Sequence, residues 1–278
     1  MIQRQDGEIV WFQFASLNAQ ADLVTHGVFG RHGGASVAPF TSLNAGPMTP
    51  DDPAALAENY RRIRATLPGH PLLVGTRPLQ GTTVREVVAA DVREYEPPVA
   101  ILPGGCDALI TRVRGIGLFW AVADCTAIML VDRAHRAIGL THAGWCGTSG
   151  AILRNTLEAM HTHYGTRPAD LLAAIAPTIG PCCYEVDEPV RQAFAGDPLA
   201  ERTAHFSTVT VPAEEGGVRA SLRLDLAASN YAQLRDLGVP AAQIETSEMC
   251  PGSNTDLFFS HRMEGGRTGR FAVVLGLL

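Results

Sequence analysis

The sequence lacks a long apolar run, an excess of basic residues, a dense cysteine framework and any repeat or low-complexity tract. The longest apolar window, residues 115–131, carries Asp124 in its middle and falls short of the roughly 20 residues of a bilayer-spanning helix, so no membrane segment is expected. The opening Met-Ile-Gln-Arg-Gln-Asp-Gly-Glu has no basic-then-apolar secretion pattern. A net charge of −6 and a pI near 5.8 provide no general footprint for nucleic acid, although a local arginine can still grip a small anion. Six cysteines in 278 residues, two of them adjacent at Cys182 and Cys183, argue against a simple disulfide framework. With no secretion signal they point to reduced thiols in a cytoplasm. What remains, 46% hydrophobic and 18% charged residues, is ordinary globular composition, long enough for one large α/β unit.

The chemistry concentrates in one stretch. Two apolar runs, 118–123 and 126–131, flank Asp124-Cys125, and a third, 137–141, leads into His142-Ala143-Gly144-Trp145-Cys146-Gly147-Thr148. Short apolar runs bounded by turn residues read as buried strands, and the turn at 133–136 predicts an antiparallel hairpin beside the site. An Asp-Cys pair and a histidine at such strand ends are out of place as packing residues. Thiolate and imidazole on neighbouring strand ends suit zinc ligation or a Cys–His nucleophile pair.

Around this stretch the pattern predicts interleaved strands and helices. Strands are expected at 9–14, 22–29, 72–75, 84–89, 118–123, 126–132, 137–141, 171–176, 207–211, 222–224 and 271–278. A helix begins at Asp51-Asp52-Pro53, with Leu56, Tyr60, Ile63 and Leu67 on one face; acidic residues and proline suit a helix start, and the spacing suits a packed face. Further helices are expected at 149–164, ending at Gly165, at 189–195, and at 225–237, ending at Gly238. The helix from residue 149 would set its N-terminus beside His142, where it favours anions. An acidic, glycine-rich loop separates the strands at 207–211 and 222–224. The segment 30–36, Gly-Arg-His-Gly-Gly-Ala-Ser, is too rich in glycine for regular structure.

Several of these segments together resemble one family over nearly the whole chain. They are Ala123-Asp124-Cys125, His142-Ala143-Gly144-Trp145-Cys146-Gly147-Thr148, Asp107-Ala108-Leu109-Ile110-Thr111, and residues 179–186, Ile-Gly-Pro-Cys-Cys-Tyr-Glu-Val. To these add Arg31, Gly33, Gly34 and Ser36, then Ser42-Leu43-Asn44, Cys250, Phe258 to Arg262 and Thr268-Gly269-Arg270. The set is similar to the bacterial laccase-domain proteins, also called polyphenol oxidases and described as purine nucleoside phosphorylases and adenosine deaminases. The resemblance implies a single mixed α/β (α+β) domain over 1–278, with sheets layered between helices as in a cysteine-hydrolase-like laccase-domain fold. It implies a zinc-dependent enzyme acting on purine nucleosides and phosphate, as a monomer or loose homodimer. By the same resemblance, Cys125 and His142 would bind the metal and carry the chemistry, with Asp124 or Asp107 moving a proton or orienting a ligand. Arg31, Asn44 and Arg262 would line the substrate pocket.

Two positions depart from the family pattern. Gln80 stands where the family has the histidine that is its third metal ligand, and a carboxamide oxygen is a poor zinc donor beside imidazole or thiolate. Cys146 stands where the family has an arginine in Trp-Arg-Gly. These departures keep two other readings open, a metal-free Cys–His hydrolase or amidase acting on a peptidoglycan precursor and a binding protein that has lost catalysis, and the older name of the family adds a copper oxidase. The last is disfavoured, because the chain has 9 histidines and its only His-x-His, His161 and His163, lies on an expected helix where i and i+2 do not share a face.

Overall fold

The computed structural model describes residues 1–96, 98–213 and 216–278, so Glu214 and Glu215 of the acidic loop lie outside the described residues. Two sheets form its centre. The first has seven strands in the order Ile2–Asp6, Ile9–Gln13, Val24–Phe29, Phe271–Leu277, Ile116–Val122, Leu72–Thr76 and Val99–Leu102. The second has six, in the order Ile244–Thr246, Leu171–Ile175, Thr126–Asp132, Ala137–Ala143, Ala108–Thr111 and Val84–Glu86. Both mix parallel and antiparallel pairs. A separate two-stranded ribbon joins Phe206–Pro212 to Val218–Leu224.

Period-two alternation decides the layering. Along Phe271–Leu277, the side chains of Phe271, Val273, Leu275 and Leu277 enter a core shared with the second sheet, while Ala272 and Val274 face the other way. Along Thr126–Asp132, Ala127, Met129 and Val131 enter the same core and Ile128 and Leu130 face outward. Strands covered on both faces must be apolar throughout, which is why these runs show no polar alternation. The outer faces are closed by helices. Pro53–Thr66 lays Leu56, Tyr60 and Ile63 against Leu73, Phe119 and Val274, and Ile152–Tyr164 lays Leu153, Leu157 and Met160 on the second sheet. The result is a mixed α+β arrangement of helix, sheet, sheet and helix. Among the described residues no helix is long and apolar enough to cross a membrane.

The helix Pro53–Thr66 starts as its sequence dictates: Asp52 accepts a hydrogen bond from Ala54 N at 3.0 Å, and Pro53 occupies the first turn. The helix expected at 149–164 begins three residues later, at Ile152, and a separate short helix precedes it. Trp145–Ser149 leaves the His142 strand directly, Ala151 turns the chain at φ +56°, and Ile152–Tyr164 follows in a new direction. The terminus beside His142 therefore belongs to a five-residue helix, not to the long one. The strand expected at 84–89 ends at Glu86 and gives way to a helical turn, Ala89–Val92. Ile2–Asp6 escapes notice in the sequence because every residue of it is exposed, leaving no apolar pattern.

His26, on the central sheet and 1% exposed, accepts a hydrogen bond from Phe14 N at 2.8 Å. Burial, opposed by the charge of Glu245, lowers its pKa to about 4. The folded state therefore holds His26 neutral, while the unfolded chain takes up a proton below about 6.5. Stability is complete above that pH and falls as pH drops toward 4, by roughly 3 kcal/mol from this group alone. Thermal midpoints followed from pH 7 to pH 4 test this: the loss should be smaller in His26→Gln, and equal losses would show that His26 is not responsible.

Candidate functional site

The chain crosses from the first sheet to the second at residues 123–125, and the crossing builds the site. Asp124, with φ +85°, makes the corner between Ile116–Val122 and Thr126–Asp132. A left-handed backbone is uncommon outside glycine and tends to be held where function needs it. The corner turns the Cys125 side chain into a cavity of about 400 Å³, whose wall also includes His142, Gln80, Tyr184, Arg262 and Arg270. A cavity of this size suits a small molecule of nucleoside dimensions.

His142 comes from the neighbouring strand Ala137–Ala143, registered opposite Ala127. Its backbone N–H donates to Asp107 O at 2.7 Å, its Nδ1 lies 3.7 Å from Asp107 Oδ1, and the Trp120 ring lies 5.7 Å from the imidazole. Trp120 is itself fixed by donating Nε1–H to Leu140 O at 2.9 Å. Cys125, His142 and Asp107 thus form one line across three successive strand ends. Burial alone would push the His142 imidazole down, but the charge of Cys125 and the contact with Asp107 outweigh it and raise its pKa to about 9. Burial pushes Asp107 the other way, yet His142 and the N–H groups of Gly81 and Gln80 hold its carboxyl below the ordinary range. The Cys146 thiol, half-buried, is pushed up by burial and by the charge of Cys125.

Asp124 faces the cavity with both oxygens engaged. Oδ1 accepts from Ser260 Oγ and Oδ2 from Arg262 N, each at 2.7 Å. Burial raises its pKa while these two bonds oppose the rise. Asp124 therefore anchors the loop that brings Arg262 to the cavity. Arg262 in turn stacks over Tyr184, 5.1 Å from the ring centre, and donates to Glu185 O at 2.6 Å.

Arg31 and Asn44, expected to line the pocket, lie outside the cavity wall. The Arg31 guanidinium is spent on Thr255 O at 2.7 Å and on Glu264 at 3.0 Å, over the Phe259 ring. Asn44 is wholly buried, and its Oδ1 accepts from Gly46 N and from Arg270 N, at 3.0 and 2.9 Å. Each acts at one remove, Arg31 on the loop carrying His261 and Arg262, Asn44 on Arg270. Tyr184, Arg270 and His261 do face the cavity. Their motifs are visible in the sequence as family signatures, but nothing in the spacing aims them at Cys125.

Gln80 does reach the cavity, at φ +60°. A Cβ built on Gly144 would meet Cys125 Sγ at 3.1 Å and Gln80 Oε1 at 3.2 Å. Only glycine leaves that space open between them. As a zinc site the arrangement supplies two strong donors, Cys125 and His142, with a carboxamide oxygen as the third. Among the described residues no further His, Cys, Asp or Glu donor atom lies within 4.8 Å of both. Catalytic zinc sites use three strong protein donors, so the residues present fall short of the set. Copper fares no better: His161 Nδ1 is bonded to Thr166 O and His163 Nδ1 to Glu86, at 3.1 and 2.9 Å, pointing to different partners.

Residues 25–278 match the family model described as multi-copper polyphenol oxidoreductase laccase. The chain belongs to the multi-copper polyphenol oxidoreductase laccase family. Within this laccase family it is 35% identical over 252 residues to "Purine nucleoside phosphorylase YlmD" of Geobacillus stearothermophilus, covering 90% of this chain and 89% of that one. It is also 35% identical over 182 residues to "Adenosine deaminase RL5" of an unknown prokaryotic organism, covering 66% of this chain and 64% of that protein. The crystal structure of Bacillus licheniformis hypothetical protein YfiH superposes with a TM-score of 0.82 at 28% identity, over 99% of both chains. The laccase fold is thus present from end to end, whatever the copper in the family's description.

Proposed function

We propose that this protein is a purine nucleoside enzyme that cleaves the bond between C1′ of the ribose and N9 of the purine with inorganic phosphate. The observation that carries the reading is the Cys125–His142–Asp107 line opening into a cavity that also holds Arg262 and Arg270. The names of the laccase-family relatives, mostly purine nucleoside phosphorylases, supply the substrate class. Arg262 and Arg270 receive the phosphate, a role for which a planar, permanently charged donor set is suited. Tyr184 offers a ring face to the base. As a phosphate oxygen bonds to C1′, the C1′–N9 pair of electrons moves into the purine, and His142, charged through its neighbours, donates a proton to the leaving base. The proton lost from hydrogen phosphate returns to His142, so the cycle closes without a net proton.

Turnover of inosine and adenosine in phosphate buffer tests this. Free base and ribose 1-phosphate in equal amounts, absent without phosphate, are the expected products, and base release indifferent to phosphate would sink the phosphorolysis. Because His142 acts as an acid, kcat/KM should be level near neutrality and fall as pH rises through about 9; a profile unchanged to pH 10 would remove His142 from that role.

The same line of residues supports one further reading. A cysteine next to an imidazole oriented by a carboxylate is the arrangement of a covalent nucleophile, and it suits an amidine or amide carbon. C6 of adenosine is such a carbon: Cys125 Sγ bonds to C6 as ammonia leaves with a proton from His142, and water, giving a proton back to His142, then displaces the thiolate to leave inosine; the amide carbon of a peptidoglycan precursor is another. A mass increase on Cys125 in quenched adenosine reactions would favour this reading over phosphorolysis.

Neither route requires zinc, and Gln80 makes that testable. Gln80→His restores a third strong donor. Zinc retained after chelator washing should be higher in this variant than in the wild type by about one ion per chain. Unchanged zinc would mean that residue 80 does not occupy a ligand position.

A further inference from the structure

Three of the cysteines lie apart from Cys125. Cys182, Cys183 and Cys250 place their sulfurs within 4.8 Å of one another, and they are the only group of three such donors that close among the described residues. We propose that Cys182, Cys183 and Cys250 form a thiolate site for a thiophilic d¹⁰ cation of the Zn²⁺ class, separate from the nucleoside cavity.

The two loops that carry the thiols are already joined by their backbones. Thr178 N donates to Met249 O at 3.2 Å, and the chain on each side then turns tightly, Cys183 N to Gly180 O at 3.0 Å and Ser253 N to Cys250 O at 3.1 Å. Cys250 and the Cys182-Cys183 pair therefore face each other across a gap that needs no rearrangement of secondary structure. Tetrahedral zinc with Zn–S bonds of about 2.3 Å sets its sulfurs about 3.8 Å apart, a contraction within the reach of side-chain rotation.

The surroundings suit a metal thiolate. Gly180 N–H lies 3.3 Å from Cys250 Sγ, a donor aimed at a sulfur. Ser253 Oγ lies 3.3 Å from both Cys182 Sγ and Cys183 Sγ, placed to hydrogen-bond thiolates or to approach the fourth position. Gly252 is needed here: a Cβ on it would come within 2.9 Å of Cys183 Cβ and 3.0 Å of its sulfur. Three thiolates and no carboxylate or imidazole select soft or borderline cations over Mg²⁺ or Ca²⁺. Cys182 is exposed, so the ion has a path in, and on binding each thiol gives its proton to solvent. Packing alone would explain a buried Cys250, but it does not explain an exposed Cys182 sulfur converging on those of Cys183 and Cys250. The site would clamp the loop that ends at Tyr184, on the cavity wall.

The test uses the full chain, reduced and chelator-washed, with Co²⁺ as a spectroscopic stand-in for Zn²⁺. In Cys125→Ser, which removes the pocket thiol, near-ultraviolet thiolate-to-cobalt absorption should persist, and adding Cys250→Ser should abolish it. No such absorption in Cys125→Ser, or absorption unaffected by Cys250→Ser, overturns the proposal. A measurement on the wild-type chain guards against misfolded variants. One equivalent of Zn²⁺ should slow alkylation of Cys182 and Cys183 at least tenfold, read peptide by peptide by mass spectrometry, and equal alkylation with and without zinc overturns the site.

Discussion

Cys125→Ala and His142→Ala should each lower nucleoside turnover by about three orders of magnitude or more while leaving the protein folded. General acid catalysis alone is worth about 10²–10⁴-fold; His142→Ala removes the acid, and Cys125→Ala removes the neighbour that contributes most to raising its pKa. The structural cost is smaller. Cys125 is partly exposed and its truncation opens little space. Removing the buried His142 ring takes one partner from Asp107, which keeps its backbone N–H donors, a penalty of about 1–3 kcal/mol against a typical total of about 5–15 kcal/mol. Circular dichroism and thermal midpoints separate the two effects. Full turnover in both folded variants would remove phosphorolysis through His142 and the covalent alternative together.

Asp107→Asn should be the next most damaging change, and it should leave a signature that a merely structural residue would not. The amide keeps the shape but removes the charge 3.7 Å from His142 Nδ1. The imidazole pKa then falls below about 9, with Cys125 still holding part of the rise, and kcat/KM near pH 8 drops by about one order of magnitude, from acid lost and from misorientation of the ring. The alkaline limb of the pH profile should move down with it. An alkaline limb still at 9 in Asp107→Asn would show that Asp107 does not hold the proton. Stability must follow the same linkage. A histidine raised from about 6.5 in the unfolded chain to about 9 in the folded one stabilises fully below pH 6.5, and that contribution is lost as pH rises through 9. Asp107→Asn should flatten this part of the stability curve.

Much of the fold could be read from local pattern, because apolar periodicity reports which faces are buried. The strands at 118–123, 126–132, 137–141 and 271–278 and the helix after Pro53 correspond to Ile116–Val122, Thr126–Asp132, Ala137–Ala143, Phe271–Leu277 and Pro53–Thr66, with shifts of a residue or two at their ends. The misreadings have local causes too. The break at Ala151 depends on one residue in a left-handed conformation, which alanine does not advertise. Ile2–Asp6 forms by pairing with Ile9–Gln13 and buries nothing that periodicity could detect.

By itself, the sequence determined the family, through motifs long enough to be specific, and it singled out Asp124, Cys125 and His142 as polar residues stranded at the ends of apolar strands. It also contained the departures at Gln80 and Cys146. Only the tertiary structure decided what surrounds them. Asp107 and Trp120 flank His142 because two sheets pack face to face and set their registers, and Arg262 and Arg270 reach the cavity because the C-terminal loop is tied to Asp124 and Asn44. Arg31 and Asn44 carry the right chemistry for a pocket but are consumed by internal bonds, a fact no spacing encodes. Cys250 lies 68 residues after Cys182 and 67 after Cys183, and its convergence with that adjacent pair depends on Thr178 and Met249 joining their loops. Periodicity records burial one element at a time, whereas a site is made where elements distant in sequence cross, and that crossing is set by packing.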